Sequence, residues 1–254
     1  MDASQIWIPL FITFLAGIST GIGSLISLFI KKFKDSYLHF FLGLSAGVMI
    51  YVSFAELLPE AVENLGFILG NAGFFIGIFF ILFIDFKIPH EYIEEHVSKN
   101  VCKRERRLMK AGVFTAVGIA IHNFPEGIAV FMSSLSDLSL GIPLAVAIAI
   151  HNIPEGIAVA MPIYYATKDR KKAFKFSLLS GLAEPLGALI GILILLPFLT
   201  PQILFFFLAF VAGIMVFISF DELLPICFKE DSSHVPILGL ITGMLIMASS
   251  LYLL

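Results

Sequence analysis

The sequence predicts an all-α, polytopic membrane protein with eight transmembrane helices. Three observations predict it. Hydrophobic residues make up 59% of the 254 residues and charged ones only 14%, with a mean hydropathy of +0.98. A soluble core cannot absorb that many apolar side chains, whereas a membrane span can, provided each span satisfies its own backbone hydrogen bonds. The apolar residues come in helix-length runs, and all 16 lysines and arginines fall in alternate connections between those runs.

The predicted spans are 5–30, 37–58, 65–85, 110–134, 138–163, 174–196, 202–224 and 235–254. Residues 3–30 carry no charge. No basic segment precedes them, so the first run reads as an uncleaved span. The second run is charge-free over 36–55 and the third over 64–84. Spans four and five are apolar runs, each interrupted by one His and one Glu. Residues 176–220 are too long for one span, and Pro197 and Pro201 break them into spans six and seven. Span eight closes the chain.

The basic residues set the expected orientation. Lys31, Lys32 and Lys34 follow span one. Seven more lie between Lys87 and Lys110, five between Lys168 and Lys175, and Lys229 follows span seven. Every one lies in an odd-numbered connection. The positive-inside rule makes those connections cytoplasmic and puts both termini outside the cell membrane. Cys102 and Cys227 fall on the cytoplasmic side, where a disulfide framework is not expected. The net charge of −3 says little about partners, and no nucleic acid is expected. The expected partners are the lipid bilayer and cations.

Two internal repeats organise the chain. His122-Asn123-Phe124-Pro125-Glu126-Gly127 returns 29 residues later as His151-Asn152-Ile153-Pro154-Glu155-Gly156. Residues 46–59 match 212–225 at nine of fourteen positions, including a shared Ser-Phe-x-Glu-Leu-Leu-Pro. Span two thus echoes span seven. Span one echoes span six more faintly, with Gly17 and Gly23 falling on Gly181 and Gly187. The chain reads as one transporter-like domain, with inverted repeats at 5–86 and 174–254 around central helices at 110–163. Inverted repeats about a midplane site are the architecture of secondary transporters.

The repeated hexapeptide carries the chemistry. His and Glu four residues apart stack on one helix face. The proline cannot donate to the carbonyl four residues back, which is that of Ile121 in span four and Ile150 in span five. The glycine permits close helix approach. Imidazole, carboxylate and amide oxygen suit a borderline divalent ion such as Zn²⁺, Fe²⁺ or Mn²⁺. Without a thiolate the set is less suited to Cu⁺, and K⁺ or Na⁺ would not need two histidines. Glu184, in span six, is the only charge between residues 176 and 220 and also precedes a proline. Ionisable groups at that depth are costly and mark function. Glu56 and the pair Asp221 and Glu222 sit at span ends, where the inversion puts Glu56 at the outer mouth and the pair at the inner one. His90 and His96 lie in a long cytoplasmic loop with Glu91, Glu94 and Glu95. His39 and His234 are expected at the membrane interface.

These motifs resemble the ZIP family of divalent-metal transporters, in its bacterial ZupT-type branch. The resemblance covers essentially the whole chain. It implies a binuclear site, with one ion at His122, Glu126, His151 and Glu155. A second would meet Asn123, Glu126, Asn152, Glu155 and Glu184. It also implies uptake of zinc, with iron, manganese, cobalt or cadmium as further cargo, and a homodimer with an elevator-like motion. The histidine-rich loop of many relatives is reduced here to His90 and His96. No catalytic cofactor is expected, and no Walker motif is present to couple ATP. An intramembrane metalloenzyme or a metal sensor is the alternative. Against the enzyme, the hexapeptide is not HExxH, and the Glu-x-x-His signature of di-iron bundles is absent. The inverted repeat favours transport over both.

Overall fold

The computed structural model describes residues 3–29, 35–87, 103–195, 200–230 and 234–253. Lys31, Lys32, Lys34, His90, Glu91, Glu94, Glu95, His96, Cys102 and Pro197 lie outside them. Eight helices among the described residues are long and apolar enough to cross a membrane. They are α1 Ala3–Phe29, α2 Asp35–Leu65, α3 Phe67–Lys87, α4 Lys103–Ser136, α5 Leu138–Thr167, α6 at 170–195, α7 at 201–230 and α8 Val235–Leu253. Apolar side chains such as Trp7, Phe11, Phe79 and Leu245 point outward on this bundle. That is where lipid would solvate them.

The helix ends follow from local chemistry. The Asp137 carboxylate accepts the Ser139 N–H at 2.8 Å and caps α5. That bond holds the Asp137 carboxyl below the usual carboxylate range. Asp169 caps α6 by accepting from Lys171 and Lys172 at 2.9 and 3.1 Å. Thr200 caps α7 through the Ile203 N–H. Helices α2, α4 and α7 are clearly longer than the sequence predicts. Helix α4 starts at Lys103 rather than 110, because its first turns are basic and escape a hydropathy reading. Helix α2 runs on to Leu65 through a wider turn.

That wider turn is the local consequence of Ser-Phe-x-Glu-Leu-Leu-Pro. Ser53–Leu57 and Ser219–Leu223 are both π-helical. The Leu58 N–H bonds the Ser53 carbonyl five residues back, and Leu224 bonds Ser219 in the same way. Pro59 and Pro225 follow directly. A proline offers no N–H and crowds the carbonyl four residues back, so widening the turn relieves both problems. Ser53 Oγ and Ser219 Oγ brace the preceding turn on the Met49 and Met215 carbonyls, at 2.7 and 2.8 Å.

Packing is set by glycines that let backbone meet backbone. Helix α2 packs along α8, and α3 along α7. A Cβ on Gly47 would collide with the Leu240 carbonyl, and one on Gly213 with the Phe74 carbonyl. Gly77 and Gly243 sit in the same way against Phe210 and Leu44. In the other half of the bundle, α1 packs on α5 and α6 on α4. The apolar core between the halves includes Val48, Met49, Val211 and Met215 from α2 and α7, and Ala158 and Met161 from α5.

Such seams leave no room for a side chain, and overpacking of this kind costs about 1–3 kcal/mol or more. Gly47→Leu and Gly213→Leu should each lower the apparent melting temperature of the detergent-purified protein by several degrees. Gly66→Ala should not act through packing, since nothing lies within 4 Å of that position. Its φ of 81° is still unfavourable for alanine, so a modest backbone penalty is expected there.

Candidate metal centre

Helices α4 and α5 both run unbroken through their motif prolines, Pro125 and Pro154. Their hexapeptides lie side by side in the bundle. The pairing crosses between helices. His122 Nε2 lies 3.2 and 3.3 Å from the two oxygens of Glu155. His151 Nε2 lies 3.2 Å from Glu126 Oε2. Each histidine therefore bonds the glutamate of the other helix, and an ionised carboxylate accepts the ring N–H. All four residues are buried, none more than 2% exposed.

Glu184 on α6 joins them. Asn152 Nδ2 donates to Glu184 Oε1 and to the Ala16 carbonyl of α1 at 3.0 Å. Asn123 Nδ2 donates to the Ser180 carbonyl of α6 at 3.3 Å. Glu126 and Glu155 both lie within electrostatic reach of Glu184. Gly127 and Gly156 are what bring α6 and α1 so close. A Cβ on either would strike the backbone carbonyl of Glu184 or of Thr20.

The structure thus brings together His122, Asn123, Glu126, His151, Asn152, Glu155 and Glu184. As the side chains stand, no three His, Cys, Asp or Glu among the described residues converge tightly enough to hold a metal ion. The reason is visible in the bonds. Each carboxylate is turned to an imidazole or an amide rather than to a common point. Asn123 Oδ1, Asn152 Oδ1 and Glu184 Oε2 are buried without a hydrogen-bond partner. Buried, unpartnered acceptors are costly. A cation is one group that would satisfy all three, with its charge offset by the three carboxylates.

A cavity of about 690 Å³ reaches this cluster. Glu126 and His151 line it, together with Glu56, Glu60, Ser133 and Thr200. On the opposite side, toward Asp85 and Glu222, only about 20 Å³ is open. There Ile218 lies against Gly118, so close that a Cβ on Gly118 would be 2.5 Å from Ile218 Cδ1. The linings correspond. Val52, Glu56 and Met247 line the large space; Ile218, Glu222 and Ile81, each 166 positions away, line the small one. Ala147 and Gly118, 29 positions apart, do the same.

Glu56, Asp221 and Glu222 stand apart from the cluster, at the two ends. Asp221 is exposed and Glu222 partly buried, and both lie within electrostatic reach of Asp85 and Lys110. Sequence reasoning missed Asp85 and Glu60. Glu60 was legible, since it sits four residues after Glu56 and shares its helix face. Asp85 gave no signal, because its counterpart 166 positions on is Leu251. His39, expected at the interface, is instead 1% exposed, in a turn of α2 that α8 covers at Phe40. His234 is exposed. A GxSxG spacing occurs at residues 17–21. It lies inside α1, with Ser19 Oγ bonded to the Ala16 carbonyl at 2.5 Å, and not on the strand-to-helix turn a nucleophile needs.

Comparison with known proteins adds an independent observation. Residues 87–250 match the family described as ZIP Zinc transporter. The chain is 53% identical to the Zinc transporter ZupT of Oceanobacillus iheyensis, with 96% of each chain covered. It is 52% identical to that of Chlorobium limicola over 99% of each. For Campylobacter jejuni the identity is 49%, over 98% of this chain and 97% of the relative.

If the crossed pairs are ligands, Glu126→Ala and Glu155→Ala should each weaken Zn²⁺ binding by more than the ~10–100-fold typical of outer-shell losses. Competition against a chelating dye, with the purified protein, measures this. Asn152→Asp should tighten binding.

Proposed function

The chain belongs to the ZIP zinc-transporter family, in its ZupT-type branch, and we propose that it carries Zn²⁺ across the cell membrane into the cytoplasm. Iron, manganese, cobalt and cadmium ions are further cargo of the same chemistry. The observation that carries this reading is the crossed pair of His–Glu contacts beside a cavity that Glu126 and His151 line. A metal ion arriving there meets two imidazoles and three carboxylates, and replaces two His–Glu bonds with coordination bonds. The amide oxygens of Asn123 and Asn152 and the free oxygen of Glu184 make room for a second ion beside the first. Glu126 and Glu155 are the bridging ligands on this account.

Transport needs the centre to face each side in turn. The matched linings support an inverted repeat, with α1–α3 in one half, α6–α8 in the other, and α4 and α5 between them. On that reading the large cavity and the small one are the same crevice, open at one end and closed at the other. Opening of Ile218 away from Gly118, with closure of Val52 toward Ala147, passes the ion across. The basic residues put the Glu222 end in the cytoplasm and both termini outside. The large cavity then faces the outside, and Glu56 and Glu60 attract cations to its mouth.

Zn²⁺ uptake into proteoliposomes, with competing metals and an imposed pH gradient, tests the reading. Metal ligation requires deprotonated imidazole and carboxylate, so protons compete with the ion. Unperturbed imidazole titrates near ~6.5. Apparent affinity should therefore fall as external pH drops below roughly 6. An affinity unchanged between about pH 7 and 5 would contradict ligation by histidine.

The two mouths should separate kinetically. Glu56→Gln should mainly raise the apparent KM for external metal, because it weakens capture. Asp221→Asn with Glu222→Gln should mainly lower the maximal rate, because it slows release. Initial-rate uptake in oriented vesicles distinguishes the two, and identical defects would reject the assignment of the mouths.

A further inference from the structure

Contacts around the metal centre come in matched pairs. Asn123 donates to the Ser180 carbonyl of α6, and Asn152 to the Ala16 carbonyl of α1. Gly127 meets the Glu184 carbonyl, and Gly156 the Thr20 carbonyl. Gly187 meets the Phe124 carbonyl, and Gly23 the Ile153 carbonyl. Gly17 and Gly181 each face the other's carbonyl. A single exchange of α4 with α5 and of α1 with α6 turns each contact into its partner. Under that exchange Ala16 becomes Ser180, and Thr20, one turn further along, becomes Glu184.

The side chain of Thr20 behaves as a counterpart. A Cβ on Gly181 would lie 2.8 Å from Thr20 Cβ and 2.9 Å from its Oγ1. A Cβ on Gly17 would lie 3.4 Å from Glu184 Cβ. Thr20 thus leaves α1 toward α6, as Glu184 leaves α6 toward α1. Helical threonines usually bond the carbonyl four residues back, as Thr13 does to Pro9 at 2.9 Å and Thr167 to Ile163 at 2.7 Å. For Thr20 that carbonyl is Ala16, and it already accepts from Asn152 Nδ2 and Ser19 Oγ. With the backbone N–H of Thr20 in the helix ladder, three donors share that carbonyl, which leaves no lone pair for the Thr20 hydroxyl. Thr20 Oγ1 is left fully buried with no hydrogen-bond partner, and so is Asn123 Oδ1 on the helix it would face.

Resting on the metal-centre reading above, we propose that position 20 is a charge-setting position of that centre. Thr20 occupies the place where the local symmetry would put a second copy of Glu184, and it keeps the centre at three carboxylates. One divalent ion then leaves the cluster with net charge −1 and two leave it at +1. A fourth carboxylate would neutralise two ions. In a low-dielectric interior one unit of charge weighs heavily on binding. The neutral hydroxyl therefore keeps the second ion loosely held and release fast, while its oxygen stays available to a water beside Asn123.

The test is to move the carboxylate across the symmetry. Zn²⁺ affinity and stoichiometry are measured on purified protein in detergent by competition with a chelating dye, and uptake is measured in proteoliposomes. Glu184→Gln should weaken Zn²⁺ binding by about tenfold or more. Thr20→Glu in the Glu184→Gln background should recover most of that loss. Alone, Thr20→Glu should tighten the second ion by at least about tenfold, equal to 1.4 kcal/mol, and slow turnover. Thr20→Val, which adds no charge, should do neither. Thr20→Asp serves as a shorter second variant, with monodispersity on size exclusion reporting the fold. If Glu184→Gln loses affinity and neither acid at position 20 restores it, the proposal is overturned while the metal centre stands. Aggregation of both acid variants also overturns it, because a position matched to Glu184 must accept a carboxylate. Wild-type binding by Glu184→Gln rejects the metal-centre reading of Glu184, and this proposal with it.

Discussion

The bundle depends on placing ionisable side chains where water cannot reach them. Three carboxylates and two imidazoles lie buried in a bundle that turns many large apolar side chains outward. Left alone, each would be too costly to bury. The structure resolves this by crossing four of them, His122 with Glu155 and His151 with Glu126, and by giving Glu184 the Asn152 amide. The crossing ties α4 to α5 and makes the cluster a property of two helices rather than of either. On the proposed reading, the cluster exchanges these internal partners for a cation.

Much of the remaining architecture serves that cluster. Gly127 and Gly156 let α6 and α1 close on it, which delivers Glu184 from one side and Thr20 from the other. The glycine seams of α2 with α8 and of α3 with α7 form the other half of the bundle. The π turns lie at the ends of α2 and α7, just where Glu56 and Glu222 project. A π turn stores a register change of one residue, which suits positions that must shift as a mouth opens or shuts. The wide space beside Val52 and the packed one beside Ile218 fit two settings of one hinge-like arrangement.

The sequence made the spans, the two hexapeptides and the recurrent Ser-Phe-x-Glu-Leu-Leu-Pro legible, because charge and hydropathy alone distinguish them. The pairing within the site was not legible. Spacing of four predicts His122 stacked with Glu126 on its own helix. The structure pairs each His with the other helix instead, because close packing of α4 on α5 offers the nearer carboxylate. The start of α4 was missed because Arg104, Arg106 and Arg107 lower its hydropathy, although they suit a helix end at a charged interface. Thr20 was legible as a position but not as a functional residue. The alignment of Gly17 with Gly181 and Gly23 with Gly187 sets it against Glu184, but its neutral side chain gives no chemical signal, and the contacts of Gly156 and Asn152 are what show the match in space. Which end of the path is open is a matter of conformation, and no residue pattern encodes it.

The central claim is that the crossed His–Glu pairs open to bind the transported ion. X-ray absorption at the zinc edge of the loaded, purified protein tests it most directly. The account predicts a shell of nitrogen and oxygen at about 2.0–2.2 Å with imidazole back-scattering from both histidines, and no sulfur at about 2.3 Å. That imidazole signal should fall by half in His122→Ala or His151→Ala. A shell of oxygen alone, or one unchanged by either substitution, would contradict the account.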